Sequence, residues 1–516
     1  MSPNKRIFLN IIATYGRSLY ALVCGLFTAR WLLQALGQVD YGLYGVVGGL
    51  TAFIAFFNGL LATAVGRFYA VSIGAAQKNA AEGLKTCQQW FSIAVFIHTV
   101  IPVILMMVGY PIGEWAVHSW LTIPPDRIES CVWVFRFVCV SCFVGMVNVP
   151  FQAMYTAKQY IAELTIYSFA TTTLNFFFLY YMASNPDDWL IKYAFWGMLM
   201  SVFPQLIICA RAVIVFSECR FCLSYVWTAK KLKELFYYAG WQTFGCLGAM
   251  LRSQGLAILV NKYFGPRVNS AMALGGNVVN HASTLSSSLI GALQPAIANA
   301  YGSGDMDRMR SLAYQACKIG TLLLLIFIVP IAVELPEILR IWLKNPPPYT
   351  DGLCWSAMAM VVIEKTAVGH MLAVNARGKI AVYQLFLGMV LLLTLPIAWM
   401  LIHLGCSVYA VGYALVLTMA MCAWGRVWFA RSLVGMSARY WLVRIFTPLV
   451  LVGGLSIYAG LSTRFWMPAS IARIFVSGVI VETVLFFASW YLILNQEERE
   501  FVKVKLNTLK LRLSKV

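Results

Sequence analysis

Apolar residues gather into long runs along the whole chain, each long enough to cross a hydrocarbon core of about 30 Å. Read as spans, they predict about fourteen helices, at 8–34, 42–72, 87–110, 131–157, 161–183, 189–215, 235–261, 268–298, 315–336, 353–376, 380–403, 407–431, 443–462 and 470–494. The polar positions left inside these runs repeat at helical spacing. Asn10, Thr14, Arg17, Cys24 and Thr28 share one face of the first span. The fourth carries Asn148, Gln152 and Thr156, and the fifth Thr165, Ser168, Thr172 and Asn175. The eighth has the cleanest polar face: Asn277, Asn280, His281, Thr284 and Ser288, with Ser283, Ser286 and Ser287 beside it. Such stripes suit either hydrogen bonds between helices or a hydrated lumen. Packing is the nearer reading for spans four and five, and cavity lining for span eight, whose polarity is hard to hide in lipid.

Composition agrees with the pattern. Hydrophobic residues make up 60% of the chain and charged residues 11%, against roughly 25% charged in soluble domains. The fold class expected is an all-α polytopic membrane protein. With the N-terminus inside, roughly 24 Lys and Arg fall in cytoplasmic loops and tails and about 7 outside, which is the bias the positive-inside rule requires. Both termini are therefore read as cytoplasmic. The net charge of +19 follows from this topology beside an anionic inner leaflet and calls for no nucleic-acid partner. No cleavable signal peptide is evident, because Arg17 interrupts the first apolar run and no clear cleavage site follows.

Loop 216–234 is the longest cytoplasmic connection and divides the chain into comparable halves, its aromatic and basic residues suggesting an interfacial segment. The second half restates the first: Phe264-Gly265-Pro266-Arg267 precedes Gly275-Gly276 much as Leu36-Gly37 precedes Gly48-Gly49. The tail 495–516 is basic and reads as a surface helix beside the membrane.

Cations inside the spans are the candidate chemistry. Arg17, Arg252 and Lys365 are the deepest, and each costs about 3 kcal/mol in lipid if left alone. Glu364 can offset at most one, and it points about 100° away from Lys365 on a helix. An anionic substrate or lumenal water would relieve the others, and arginine holds phosphate oxygens well through its planar fork of donors. Arg67 and Arg136 lie nearer the interfaces, where they can snorkel. A structural salt bridge is the competing reading for Glu364 and Lys365. No motif for a hydrolase, a nucleotide phosphate loop, a metal centre or a cofactor is present, so a transporter is the default.

Several motifs together resemble the bacterial polysaccharide (O-antigen type) flippases of the MOP superfamily, which also holds the multidrug MATE exporters and the lipid II flippases. They are Leu36-Gly-x-x-Asp40-Tyr-Gly-x-Tyr44, Phe264-Gly-x-x-Val-Asn269, Gly304-Asp-Met-Asp-Arg-Met309, Glu337-Ile-Leu-x-x-Trp342, Gly378-Lys-Ile-x-x-Tyr-Gln384 and Leu395-Pro-Ile397. The resemblance implies a MATE-like fold: a six-helix lobe over 1–215, the linker 216–234, a second six-helix lobe over 235–431, and two additional helices over 432–494. It implies a cavity open alternately to either side of the bacterial inner membrane. It also implies a cargo of undecaprenyl-pyrophosphate-linked glycan, moved from the cytoplasmic to the periplasmic leaflet for lipopolysaccharide or polysaccharide biosynthesis.

Under that reading Arg17, Arg67, Arg252 and Lys365 form a cationic substrate site. Asn148, Gln152, Thr172, Asn175, Asn277, Asn280, His281, Thr284 and Ser288 line its polar wall. Glu364, with His370 about a turn and a half away, is the candidate for coupling to H+ or Na+. Membrane lipids and a polysaccharide polymerase machinery are the implied partners. Export of another amphiphile, lipid II or a drug, is the alternative, although the first and seventh spans lack the carboxylate common in cation-driven exporters. From another class, a membrane-embedded glycan polymerase or acyltransferase requires a larger external loop than 111–130. A non-transporting assembly partner has no need of a buried arginine pair.

Overall fold

The computed structural model describes residues 3–49, 52–77, 79–121, 123–264, 266–343, 346–496 and 498–500. Its regular elements are helices, and no strand occurs among the described residues. In chain order they are α1 (Pro3–Gly49), α2 (Ala52–Ala75), α3 (Ala80–Trp115), α4 (Ile128–Ala157), α5 (Ile161–Ser184), α6 (Leu190–Val215), α7 (Ala229–Phe264), α8 (Pro266–Ala282) and α9 (Thr284–Ser303). There follow α10 (Met306–Val333), α11 (Leu335–Leu343), α12 (Thr350–Thr366), α13 (Val368–Arg377), α14 (Ala381–His403), α15 (Tyr409–Val434), α16 (Ala438–Trp441), α17 (Thr447–Ser462) and α18 (Ile471–Leu492).

Among the described residues, nine helices are long and apolar enough to cross a membrane, or ten if α12 and α13, bent by 47°, count as one span. The remaining expected spans, 8–34, 42–72, 161–183 and 268–298, correspond to the helices α1, α2, α5 and the pair α8–α9. In α5 and α8 the polar stripes dilute the apolar content. The tail predicted over 495–516 lies outside the described residues from 501 onward. Its first turn is described, and there Asn495 and Glu498 cap each other: the Glu498 N–H donates to Asn495 Oδ1 and the Asn495 N–H to Glu498 Oε2.

Two compact units are present, Met1–Thr243 with Gly291–Met309, and Phe244–Ile290 with Arg310–Val516. In the first, α4 packs against α6, α2 and α3, while α1 lies along α5. The motif around Gly37 has a local physical basis. Gly37 adopts φ 72°, a left-handed conformation that breaks α1. On either side of it Leu36, and then Leu43 and Val47, enter a core with Phe135, Leu179, Met182 and Trp189. Asp40, in this turn, is 3.3 Å from the Arg127 guanidinium, which also holds Asp188 at 2.7 Å. Burial pushes the Asp40 carboxyl up, and the charge of Arg127 offsets part of that. Still within this unit, α2 crosses the end of α9 backbone to backbone. A methyl group at Gly302 would sit 2.0 Å from the Val71 carbonyl oxygen, and one at Gly74 as close to that of Asn299. The linker folds back on the same unit through Lys158–Glu218 (2.6 Å) and Cys222 N–H to Ser92 Oγ (3.0 Å), leaving Phe221, Leu223 and Trp227 exposed.

In the second unit α12 packs between α8 and α15, and α14 lies against α15. Small residues let α7 approach α14: a methyl at Gly248 would fall 2.9 Å from the Gly388 Cα. Gly378 here, and Gly304 in the first unit, both from the quoted motifs, take positive φ of 86° and 75° between helices. Asp305 then accepts the Arg308 N–H at 3.0 Å, starting α10. The two C-terminal helices are joined to this unit by a buried ion pair. Glu334, fully buried between α10 and α11, accepts from Arg473 Nη2 of α18 at 2.9 Å and from its Nε at 3.2 Å.

Candidate functional site

Two groups of polar residues stand out, one inside each unit. In the first unit α1, α4, α5 and α6 enclose a cavity of about 340 Å³ that Arg17 lines. The face predicted for α1 is real: Asn10, Thr14 and Cys24 are buried, and Thr14 and Arg17 reach this cavity. Opposite them lie Gln152 of α4, Thr165, Ser168 and Thr171 of α5, and Ser201 and Gln205 of α6. Among the described residues that line it, none is a carboxylate. The Gln205 carbonyl oxygen is buried with no hydrogen-bond donor, as is that of Asn148. An unsatisfied acceptor of that kind costs about 1–3 kcal/mol. Gln152 lines this cavity, while Asn148, Thr172 and Asn175 are not among its lining residues. Thr172 instead donates to the Ser168 carbonyl at 2.8 Å, one turn back on its own helix.

Arg67 does not share that cavity. Its guanidinium lies between the rings of Phe68 and Tyr238, 4.8 Å from each centroid. It lines a separate space of about 450 Å³ with Lys231, Glu82 and Glu234. The single cationic site expected from sequence is therefore divided, and Arg67 has aromatic faces and acids for neighbours.

The second unit gathers Arg252, Lys365, Glu364 and a residue the sequence reading passed over, Arg426. Arg426 is buried; its Nη2 is 3.8 Å from Glu364 Oε1, and its Nη1 donates to the Glu364 carbonyl at 3.3 Å. Lys365 turns the other way, to Ser287 Oγ at 3.4 Å, as the 100° step between neighbours requires. Arg252 is within electrostatic reach of both Glu364 and Arg426, and its Nη1 is buried without an acceptor. Three cations thus surround one carboxylate.

His370 lies beyond a bend in the helix, within electrostatic reach of Arg426. The helix ends at Thr366, and α13 sets off at 47°. His370 is fully buried beyond the bend, with Nδ1 3.5 Å from Cys317 Sγ and its ring against Tyr314 and Trp441. The expected proximity of His370 to Glu364 presumed an unbroken helix. On α8, Asn277, Asn280 and His281 are exposed. Thr284 and Ser288 hydrogen-bond the carbonyls one turn back, to Asn280 and Thr284, so their hydroxyls are partly spent within the helices.

The fold defined by these helices is that of a MATE-like membrane transporter. A family model, MatE, matches residues 247–400. Solved structures match far more of the chain. A MATE transporter in a bent conformation is 14% identical with a TM-score of 0.67, covering 84% of this chain and 96% of its own. An outward-facing multidrug resistance MATE transporter of the MOP superfamily is 13% identical at TM-score 0.61, with the same coverages of 84% and 96%. A MOP superfamily transporter from Pyrococcus furiosus, described as having a binding pocket of reverse polarity that suggests a different function, is 13% identical at TM-score 0.64, again covering 84% and 96%. No curated protein matches the chain in sequence.

Proposed function

We propose that this protein is an inner-membrane flippase that carries undecaprenyl-pyrophosphate-linked oligosaccharide from the cytoplasmic to the periplasmic leaflet by alternating access. The observation that carries the reading is the Arg17 cavity: a membrane-embedded arginine faced by hydroxyls and amides and by no carboxylate. Such a cavity suits an anion with sugar hydroxyls attached, because arginine donates to phosphate oxygens while the neutral side chains hydrate the glycan. In the second unit Arg252, Arg426 and Lys365 outnumber Glu364 and supply further positive charge. Glu364 is the acid through which H+ or Na+ would reset the carrier.

A drug exporter is the second reading, favoured by the fold shared with multidrug MATE transporters. The two readings differ in the charge of the cargo. Translocation of a labelled lipid-linked glycan in proteoliposomes tests them, with wild type beside an Arg17→Ala/Arg252→Ala double variant of matched expression. Transport by wild type, reduced at least about tenfold in the variant, is expected from the loss of charge-assisted hydrogen bonds. Equal transport by both would make the arginines structural. Transport of cationic drugs and of no glycan lipid would establish the exporter.

A further inference from the structure

A second cavity adjoins that of Arg17 within the first unit, and the transport reading does not use it. It is a groove of about 500 Å³ at the end of the unit where α1 and α5 begin and α6 ends, which the predicted topology places at the cytoplasmic face. Its polar wall is Asn10, Gln159, Tyr160, Glu163, Tyr167 and Arg211. Its rim carries Leu9 and Ile166, which are 42% and 66% exposed and so face the acyl chains.

The wall is held in place. Gln159 joins α4 to α5 with φ 61°, a left-handed conformation that costs a non-glycine residue on the order of 1–3 kcal/mol. Asn10, 1% exposed, keeps it there: its Nδ2 donates to the Gln159 carbonyl at 2.9 Å, and its Oδ1 accepts the Ala162 N–H at 3.1 Å. Glu163 receives Tyr167 Oη at 3.2 Å, Tyr155 Oη at 3.4 Å and the Nε and Nη2 of Arg211. Those bonds use two of the five N–H donors of Arg211, and its side chain is half exposed to the groove.

Tyr167 lines both cavities. Along α1, Asn10 lies in the groove while Thr14 and Arg17 lie in the inner cavity, a rise of roughly 10 Å over seven residues. Along α5 the two spaces overlap in height and take different faces of the helix: Ala162, Glu163 and Ile166 line the groove, Ile161, Leu164, Thr165, Ser168 and Thr171 the inner cavity. Tyr167, shared by both, therefore stands at the border between the amphipathic groove and the Arg17 cavity.

We propose that this groove is the inner-leaflet docking site for the head of the anionic lipid-linked glycan, from which the head passes the Tyr167 side chain to reach Arg17. The inference rests on the flippase reading and extends it. The chemistry of the wall fits a glycan phosphate: the spare Arg211 donors meet phosphate oxygens, Glu163 and Gln159 accept sugar hydroxyls, and the tyrosine rings offer apolar faces to the sugar. The exposed Leu9 and Ile166 leave the lipid tail in the membrane. Continuity with the Arg17 cavity selects this cargo over a bulk phospholipid, which has no reason to sit at its mouth.

The test places a photoreactive benzoylphenylalanine at Ile166, outside the polar wall, in otherwise wild-type protein in proteoliposomes carrying radiolabelled undecaprenyl-pyrophosphate oligosaccharide. An adduct with the glycan lipid is expected, weakened at least about fivefold by Arg211→Ala. Tyr167→Trp, which enlarges the ring between the cavities, should keep the adduct while transport falls about tenfold. The retained adduct shows that this variant is folded. Wild type that transports the cargo but gives no adduct, or labels only bulk phospholipid, overturns the docking site alone. So does undiminished transport by Tyr167→Trp. Wild type that neither transports nor labels with the glycan lipid overturns the flippase reading together with it.

Discussion

Arg17 of the first unit and Arg473 of the second hold their positive charge in opposite ways. In the first, Arg17 faces hydroxyls and amides, and its cavity contains no acid. In the second, Arg426 is bonded to Glu364 through side chain and backbone, and Arg473 is bonded to Glu334 by two guanidinium nitrogens. A buried arginine that has its carboxylate contributes mainly to holding helices together, because breaking the pair strands a charge. An arginine without one leaves its charge to water or to a ligand. The contrast marks Arg473 as a residue that holds helices together and Arg17 as one open to water or a ligand, although the two look alike in the sequence.

The largest effect should come from breaking the most buried pair. Arg473→Ala leaves Glu334 charged and unpaired, and should lower stability by about 3–5 kcal/mol, read as thermal unfolding in detergent. Transport per folded molecule should change little. Arg17→Ala should do the reverse. Loss of a charge-assisted hydrogen bond of about 1.5–3 kcal/mol weakens anion binding roughly 10- to 150-fold, with an unfolding temperature close to wild type. Arg17→Lys keeps the charge but not the fork, so its anion affinity should fall between the two. The smallest effect is expected at Glu364, whose pair with Arg426 is partly exposed and spans 3.8 Å. Glu364→Gln removes a nearby negative charge worth about 0.5–1 kcal/mol and should raise anion affinity roughly twofold to fivefold. The dependence of transport on a proton or sodium gradient should disappear in the same variant. Unchanged coupling would place the ion site elsewhere.

Much of this was legible in the sequence. Apolar runs placed the helices, and the spacing of Thr14 and Arg17 identified the face of α1 that enters the cavity. Gln152 was found the same way, since a face defined by helical spacing survives folding. What depends on the packing of distant segments was not legible. Thr171 lines the cavity where Thr172 was expected, because the turn of α5 about its axis is set by its neighbours and not by its own stripe. Arg426 lies near the end of a predicted span, where a cation ordinarily snorkels. The adjoining Gly425, whose missing side chain makes room for Phe386, was the available hint that this end is packed. The bend at Ala367 has no proline to announce it. Nearby, Gly369 fits so closely against the Ala313 carbonyl that an added methyl would lie 1.8 Å away. That approach follows from tertiary packing, and with it His370 moves from Glu364 to Cys317.

The most direct measurement is equilibrium binding of undecaprenyl pyrophosphate to purified wild type and to Arg17→Ala, with a cationic dye as competitor. Binding by wild type that weakens at least about tenfold in the variant, and that the dye does not displace, is the expected result. Equal affinity in both proteins, or displacement by the dye, would contradict the assignment of the carboxylate-free cavity to an anionic cargo.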